Sequence, residues 1–301
     1  MSEWGKGFWA IILVCVTWGL SPIYYRELAG VPVLEVLAHR TLWSLVFFVA
    51  LLAWQGRLGE FWQAATGPHA PRVALAALLV SANWGLFIWS VQAGHVVQSS
   101  LGYYIFPLVT VALGLVVFGE RLSLAQGLAV MIALAAVVIL TIGLGVAPWI
   151  SLGLAITMGL YGMVKKSLPL GPVLSVACEV ALLAPLALGW LALQALGWLP
   201  QGWLHPLAFG ASARISGLLV FSGVITALPL VLFAYATRRI ELTTVGLMFY
   251  LNPTLQFLCA VLIFGEPFTR WHMIAFAMIW GALALYSGAS LRQSRPPRRV
   301  P

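Results

Sequence analysis

Along nearly the whole chain, apolar stretches of about 18 to 22 residues alternate with short polar turns. At about 1.5 Å of rise per residue, one such stretch crosses a hydrocarbon core roughly 30 Å thick as a single helix. The pattern predicts ten spans, at 8–25, 34–54, 73–92, 97–118, 124–142, 149–166, 173–195, 214–235, 243–264 and 271–291. The connections 55–72 and 195–212 are longer and read as surface segments, in which short interfacial helices could be anchored by Trp62 or Trp203. The first apolar run is longer than a signal-peptide core and no small-residue cleavage site follows it, so it is expected to stay as a span.

The second half of the chain repeats the first. Residues 100–121 are echoed by 246–267, with Pro107 falling on Pro253 and Phe118-Gly119-Glu120 on Phe264-Gly265-Glu266. Residues 9–28 match 149–168 at a constant offset, pairing Thr17 with Thr157, Gly19-Leu20 with Gly159-Leu160 and Arg26 with Lys166. The repeating unit is five spans long, and an odd number of crossings inverts the second copy in the membrane. The expected fold is therefore an all-α membrane protein, ten transmembrane helices in two inverted five-helix repeats at 1–144 and 145–291, followed by a basic cytoplasmic tail at 292–301. Inverted repeats give many secondary transporters two pseudo-symmetric conformations, with the substrate near the midplane. A duplicated structural bundle without transport is the plainer alternative.

Composition agrees: 62% of the 301 residues are hydrophobic and 8% charged, and the mean hydropathy is +1.00. That excludes a soluble fold and leaves no room for a soluble catalytic domain. Of the sixteen basic residues, an inside N-terminus puts Arg26, Arg214 and Arg270 outside, embeds Arg40 and leaves twelve facing the cytoplasm. Both termini are expected there. The net charge of +8 then reflects contact with anionic lipid headgroups, with no nucleic-acid partner. Cys15, Cys178 and Cys259 lie inside spans without metal-ligand spacing and read as small core residues. With no aspartate, no His-Glu-x-x-His, no Gly-x-Ser-x-Gly and no phosphate loop, the chain shows no enzymatic signature, metal site or cofactor site.

Polar groups inside spans are costly unless partnered or wet, so they nominate a site. Glu35 and His39 stand four apart on one helix face, where they can pair. Arg40 lies deeper; it either snorkels outward, pairs with a carboxylate, or meets a bound anionic group. Glu179 corresponds to His39 in the repeat register, and a carboxyl there is a candidate for carrying a coupling proton, unless Arg40 or His39 offsets its burial; a substrate contact or a structural hydrogen bond are the other readings. Trp18, Trp43 and Trp84 are too deep for an interfacial belt and either pack or line a pocket, together with Asn83, Tyr103, Tyr104, Tyr250 and Asn252. Pro107 and Pro253, each freeing a backbone carbonyl in equivalent helices, are hinge candidates, with a static kink as the alternative.

The ten spans, the repeats and the Pro…Phe-Gly-Glu endings resemble the EamA branch of the drug/metabolite transporter superfamily. Thr17-Trp18-Gly19-Leu20-Ser21-Pro22, His39-Arg40-Thr41-Leu42-Trp43-Ser44, Asn83-Trp84-Gly85-Leu86-Phe87-Ile88-Trp89 and Ser100-Leu101-Gly102-Tyr103-Tyr104-Ile105 more narrowly resemble its RarD permeases, known as chloramphenicol-sensitive proteins. The resemblance covers about 7–291 and implies a bacterial inner-membrane permease with a central cavity between its halves. The second repeat carries Gly159-Leu160-Tyr161-Gly162 where the first has Trp18, so the halves would not contact substrate identically. The expected activity is alternating-access transport of small amphipathic metabolites, amino acids or drugs among them, as export or facilitated exchange. His39, Arg40 and Glu179 would form its polar centre, with protons as coupling partner, and a monomer is compatible with the reading. A passive channel or a non-transporting sensory component is the alternative.

Overall fold

The computed structural model describes residues 2–118, 124–145, 148–201, 203–237, 239 and 248–293. The helices in chain order are α1 (Glu3–Gly19), α2 (Ser21–Glu27), α3 (Val33–Trp54), α4 (Leu58–Thr66), α5 (Ala70–Gln92), α6 (Val96–Phe118) and α7 (Leu124–Leu144). There follow α8 (Trp149–Lys166), α9 (Pro172–Ala195), α10 (Ala213–Thr237), α11 (Leu251–Leu258) and α12 (Arg270–Gln293). Six described segments are long and apolar enough to cross a membrane: Glu3–Glu27, Val33–Trp54, Ala70–Gln92, Leu124–Leu144, Pro172–Ala195 and Ala213–Phe233. Shorter apolar helices cover Trp149–Lys165 and Leu251–Ile263.

Two expected spans differ in detail. The first is not one helix but two, broken at Leu20, because Pro22 has no N–H to continue the ladder and instead sits in the first turn of α2. Ser21 Oγ donates to the Trp18 carbonyl at 2.7 Å and closes the break. The result is a short helix that presents Tyr24, Tyr25 and Arg26 independently of α1. In the ninth, residues 240–247 lie outside the described residues, and α11 passes into a π-helical turn over Cys259–Ile263. Pro253 occupies the first turn of α11, where its missing donor is harmless, whereas α6 stays helical through position 107. The 55–72 connection contains α4, which buries Phe61 and Ala65 on one face and exposes Trp62. No helix forms among the described residues of 197–212.

The large side chains of α7 face outward and its small ones pack inward, an arrangement suited to a lipid solvent. On α7, Leu124, Leu128, Met131, Leu134, Val138 and Ile142 form an exposed apolar stripe, while Ala129, Ala133 and Ala136 are buried. α7 packs on α12, whose buried side offers Ala275 and Ala282, and Gly143 leaves room for the Trp271 ring. The interior pairings cross between the halves of the chain. α1 lies against α10 and α11, and α8 lies against α5 and α6; α3 packs on both α9 and α10. Glycines permit close approaches between these elements. A Cβ at Gly19 would stand 2.7 Å from Leu255 Cβ on α11, one at Gly159 would stand 2.9 Å from Val109 Cγ1 on α6, and one at Gly223 would meet the α3 backbone at Trp43.

Candidate functional site

Arg40 is buried on α3, with 6% of its surface exposed. It neither snorkels to the surface nor meets a carboxylate among the described residues. Nη1 donates to the Tyr25 hydroxyl at 2.8 Å, the guanidinium carbon lies 3.7 Å from the centre of the Trp84 ring, and Nε is buried without a partner. Tyr103 and Tyr24 are its other electrostatic neighbours. Three elements converge here: α2, re-aimed by the break at Leu20, supplies the tyrosines, α5 supplies Trp84 and α6 supplies Tyr103. A cation–π contact and one neutral hydrogen bond return only about 2 to 3 kcal/mol. Desolvating a guanidinium costs several, so the charge is left under-compensated.

Asn83 stands behind Trp84 as a three-way bracket. Its Nδ2 donates to the Leu154 carbonyl and to Thr157 Oγ1, both at 2.9 Å on α8, and its Oδ1 accepts from the Tyr103 hydroxyl at 3.0 Å. Tyr103 is thereby fixed toward Arg40. Tyr104, one residue on, turns the other way: its hydroxyl shares a 2.5 Å hydrogen bond with Thr254 Oγ1 on α11, and its ring packs on Phe276 and Trp280. Asn252 accepts from Gln256 within α11 at 3.0 Å, and the Tyr250 carbonyl accepts from the Thr254 hydroxyl. Trp43 is half-buried at the α3–α10 seam. Hence Asn83, Trp84 and Tyr103 gather around Arg40, while Tyr104, Tyr250 and Asn252 belong to the α11 side.

Glu179 does not join Arg40. It is 1% exposed on α9, and its neighbours are Lys165 Nζ at 2.5 Å, the Tyr161 hydroxyl at 3.0 Å and Ser175 Oγ at 3.1 Å. The offsetting charge is Lys165, not Arg40 or His39. His39 lies 4.0 Å from Glu35 and stacks on Phe209, ring centres 4.6 Å apart. Glu35 is buried and acts as a clamp, since Oε1 accepts from the backbone N–H groups of Ala208 and Phe209 at 2.8 and 3.0 Å, while Oε2 is buried without a partner. Sequence reasoning passed over Tyr25, Lys165 and Glu266. The last of these accepts from the N–H groups of Val96 and Val97 at 2.7 and 2.8 Å, so the Phe-Gly-Glu ending of the second half caps α6 of the first. The matching Glu120 lies outside the described residues.

The lipid-facing surfaces and the crossed helices make this a multi-pass membrane protein, and comparison with known proteins adds the class. The EamA-like transporter family matches residues 5–142 and again 146–288. The chain belongs to the EamA-like transporter family. Within it, the chain is 43% identical over 284 residues to Protein RarD of Streptomyces exfoliatus, covering 93% of this chain and 88% of that one. It is 38% identical over 300 residues to an uncharacterized transporter of Vibrio cholerae, covering 98% and 96%, and 35% identical to Protein RarD of Escherichia coli, covering 89% of each. The RarD resemblance drawn from the motifs is borne out by these relatives. A protein of known crystal structure, 17% identical, superimposes with a TM-score of 0.60 over 98% of this chain and 99% of its own, a likeness of fold. As an EamA-like protein, the chain is a membrane transporter.

Proposed function

We propose that this EamA-like protein is a secondary transporter of a bacterial plasma membrane, with both termini cytoplasmic. It moves small amphipathic metabolites by alternating access between two inverted halves, 1–144 and 145–291, as export or facilitated exchange. The observation that carries the reading is the crossing of the first helices. Under the offset that pairs Gly19 with Gly159, α1 corresponds to α8, and the α1 contacts with α10 and α11 correspond to the α8 contacts with α5 and α6. The two glycines occupy equivalent close approaches, to α11 and to α6. Each half thus lends its first helix to the other, and rocking about these seams exchanges two pseudo-equivalent packings, as alternating access requires.

Glu179 is the coupling candidate: a proton on its carboxyl would remove the charge that holds Lys165. The decisive experiment is efflux from proteoliposomes loaded with amino acids, nucleosides, quaternary amines and chloramphenicol, with and without a pH gradient. Selective efflux of one class is expected, and no flux of any solute from folded protein would sink the transporter reading. Glu179→Gln should abolish gradient-driven flux and leave exchange of the same solute intact. Equal loss of both would remove Glu179 from coupling. Single cysteines placed in the two mouths should label reciprocally, whereas a passive channel would expose both at once.

A further inference from the structure

Arg40 identifies the chemical group that the site is built to receive. Among the described residues, its hydrogen-bond, ring and electrostatic neighbours are uncharged phenols and an indole: Tyr24 and Tyr25 from α2, Trp84 from α5 and Tyr103 from α6. The described carboxylates of the neighbouring elements have other partners: Glu27 meets Arg214, Oε1 of Glu35 accepts from the backbone of Ala208 and Phe209 while its Oε2 is buried without a partner, Glu179 meets Lys165, and Glu266 caps the first turn of α6. His39, next in sequence, stacks on Phe209. One Nη is committed to Tyr25 and one face of the guanidinium to Trp84, but Nε is buried with no acceptor. Trp84 and Tyr103 are only half-buried, so the aromatic walls keep surface free for a solute.

We propose that the Nε edge of Arg40 binds the carboxylate of the transported solute, with its apolar body against Trp84 and Tyr103. The substrate class is then small monocarboxylates, zwitterionic amino acids included. This deepens, and rests on, the transporter reading. A carboxylate supplies both the missing acceptor and the missing charge, with the fork geometry that a guanidinium matches best. A cation would be repelled, a neutral amide would leave the charge unmatched, and a dianion would bring a second charge into a site that offers one guanidinium.

The test is a thermal shift of the purified full-length protein in detergent with two probe pairs, phenylacetate against phenylacetamide and L-leucine against L-leucinamide. At least one carboxylate should stabilise wild type at concentrations at least tenfold below its amide, and Arg40→Gln should erase that preference. No preference in wild type, or a preference that survives Arg40→Gln, overturns the proposal. Should Arg40→Gln not fold, Arg40→Lys keeps the charge without the fork and should still weaken the carboxylate about tenfold; unchanged binding also overturns it. Flux separates the two readings. Carboxylate binding without any transport would remove the transporter reading and keep the site, whereas Arg40-independent efflux of quaternary amines would remove the site and keep the transporter.

Discussion

Arg40 and Glu179 are buried charges at the same place in their helices, each seven residues beyond the first residue of α3 or α9. Each reaches back to the helix before it, Arg40 to Tyr25 and Glu179 to Lys165; the offset that pairs the first helices matches Tyr25 with Lys165 and sets Glu179 against His39, one residue before Arg40. The layout is similar and the chemistry is not. Glu179 has a base and two hydroxyl groups, so its charge is met within the protein. Arg40 has a phenol and an indole face, so its charge is not met among the described residues. The two surroundings divide the work: a matched pair at Glu179, an unfilled demand at Arg40 among the described residues.

The largest effect should come from breaking the matched pair. Glu179→Gln strands Lys165, and loss of one partner of a buried ion pair costs about 3 to 5 kcal/mol. Lys165 keeps 22% of its side chain exposed and can turn to water, so the expected loss is about 2 kcal/mol in reversible unfolding. Adding Lys165→Met should recover most of it. Arg40→Met should do the opposite, leaving stability unchanged or raised because it removes a charge that no described residue matches, while abolishing any carboxylate response. If both single variants lose the same stability, the contrast between the two sites is wrong.

Asn83 tests how the Arg40 side is held. Asn83→Leu removes three hydrogen bonds that join α5, α6 and α8. Interhelical bonds in membranes average about 0.6 kcal/mol each, and leucine returns some packing, so a loss of about 1.5 kcal/mol is expected. Tyr103 would no longer be aimed at Arg40, so wild-type solute affinity should fall too, measured in the same thermal shift. A stability loss with affinity unchanged would place Tyr103 outside the site.

Much of this was legible in the sequence. Hydrophobic stretches that long have few other uses, and the offset pairing residues 9–28 with 149–168 already pointed to duplication. Arg40 was legible because a guanidinium in an apolar span demands an explanation. Its partner was not, because Tyr25 reads as an ordinary aromatic until the Pro22 break re-aims it. Lys165, at the end of the sixth span, counts among the twelve basic residues facing the cytoplasm, although it corresponds to Tyr25 at the same offset. Tyr103 and Tyr104 could not be separated in the sequence; one step along a helix is about 100°, and only the neighbours decide which face meets which helix. Glu266 read as the end of a span because capping a helix 170 residues earlier leaves no local trace.

That cap supplies the next test, since it ties Glu266, in the second half of the chain, to α6 in the first. Glu266→Gln keeps an acceptor but removes the charge from the first turn of α6, and a loss of about 1 kcal/mol is expected. Faster hydrogen exchange confined to the first turn of α6 should accompany it. Exchange spread along the whole helix would mean that Glu266 holds α6 in place rather than capping it.

The smallest effect belongs to an acid–base pair outside the spans, which calibrates the buried ones. Arg57 donates to Glu60 through Nε and Nη2, the latter at 2.7 Å, and these hydrogen bonds hold the Glu60 carboxyl below its usual value. A carboxyl lowered in the folded state contributes stability that is present above its unfolded pKa and fades as pH falls through the folded one. Both side chains are exposed, so water screens the interaction and Glu60→Gln should leave the unfolding midpoint at neutral pH unchanged within error. The variant and wild type should also share one acid limb, because so slight a contribution has little to lose. If Glu60→Gln instead destabilises as much as Glu179→Gln, proximity of opposite charges rather than burial sets the energetics here, and the distinction between Arg40 and Glu179 loses its physical basis.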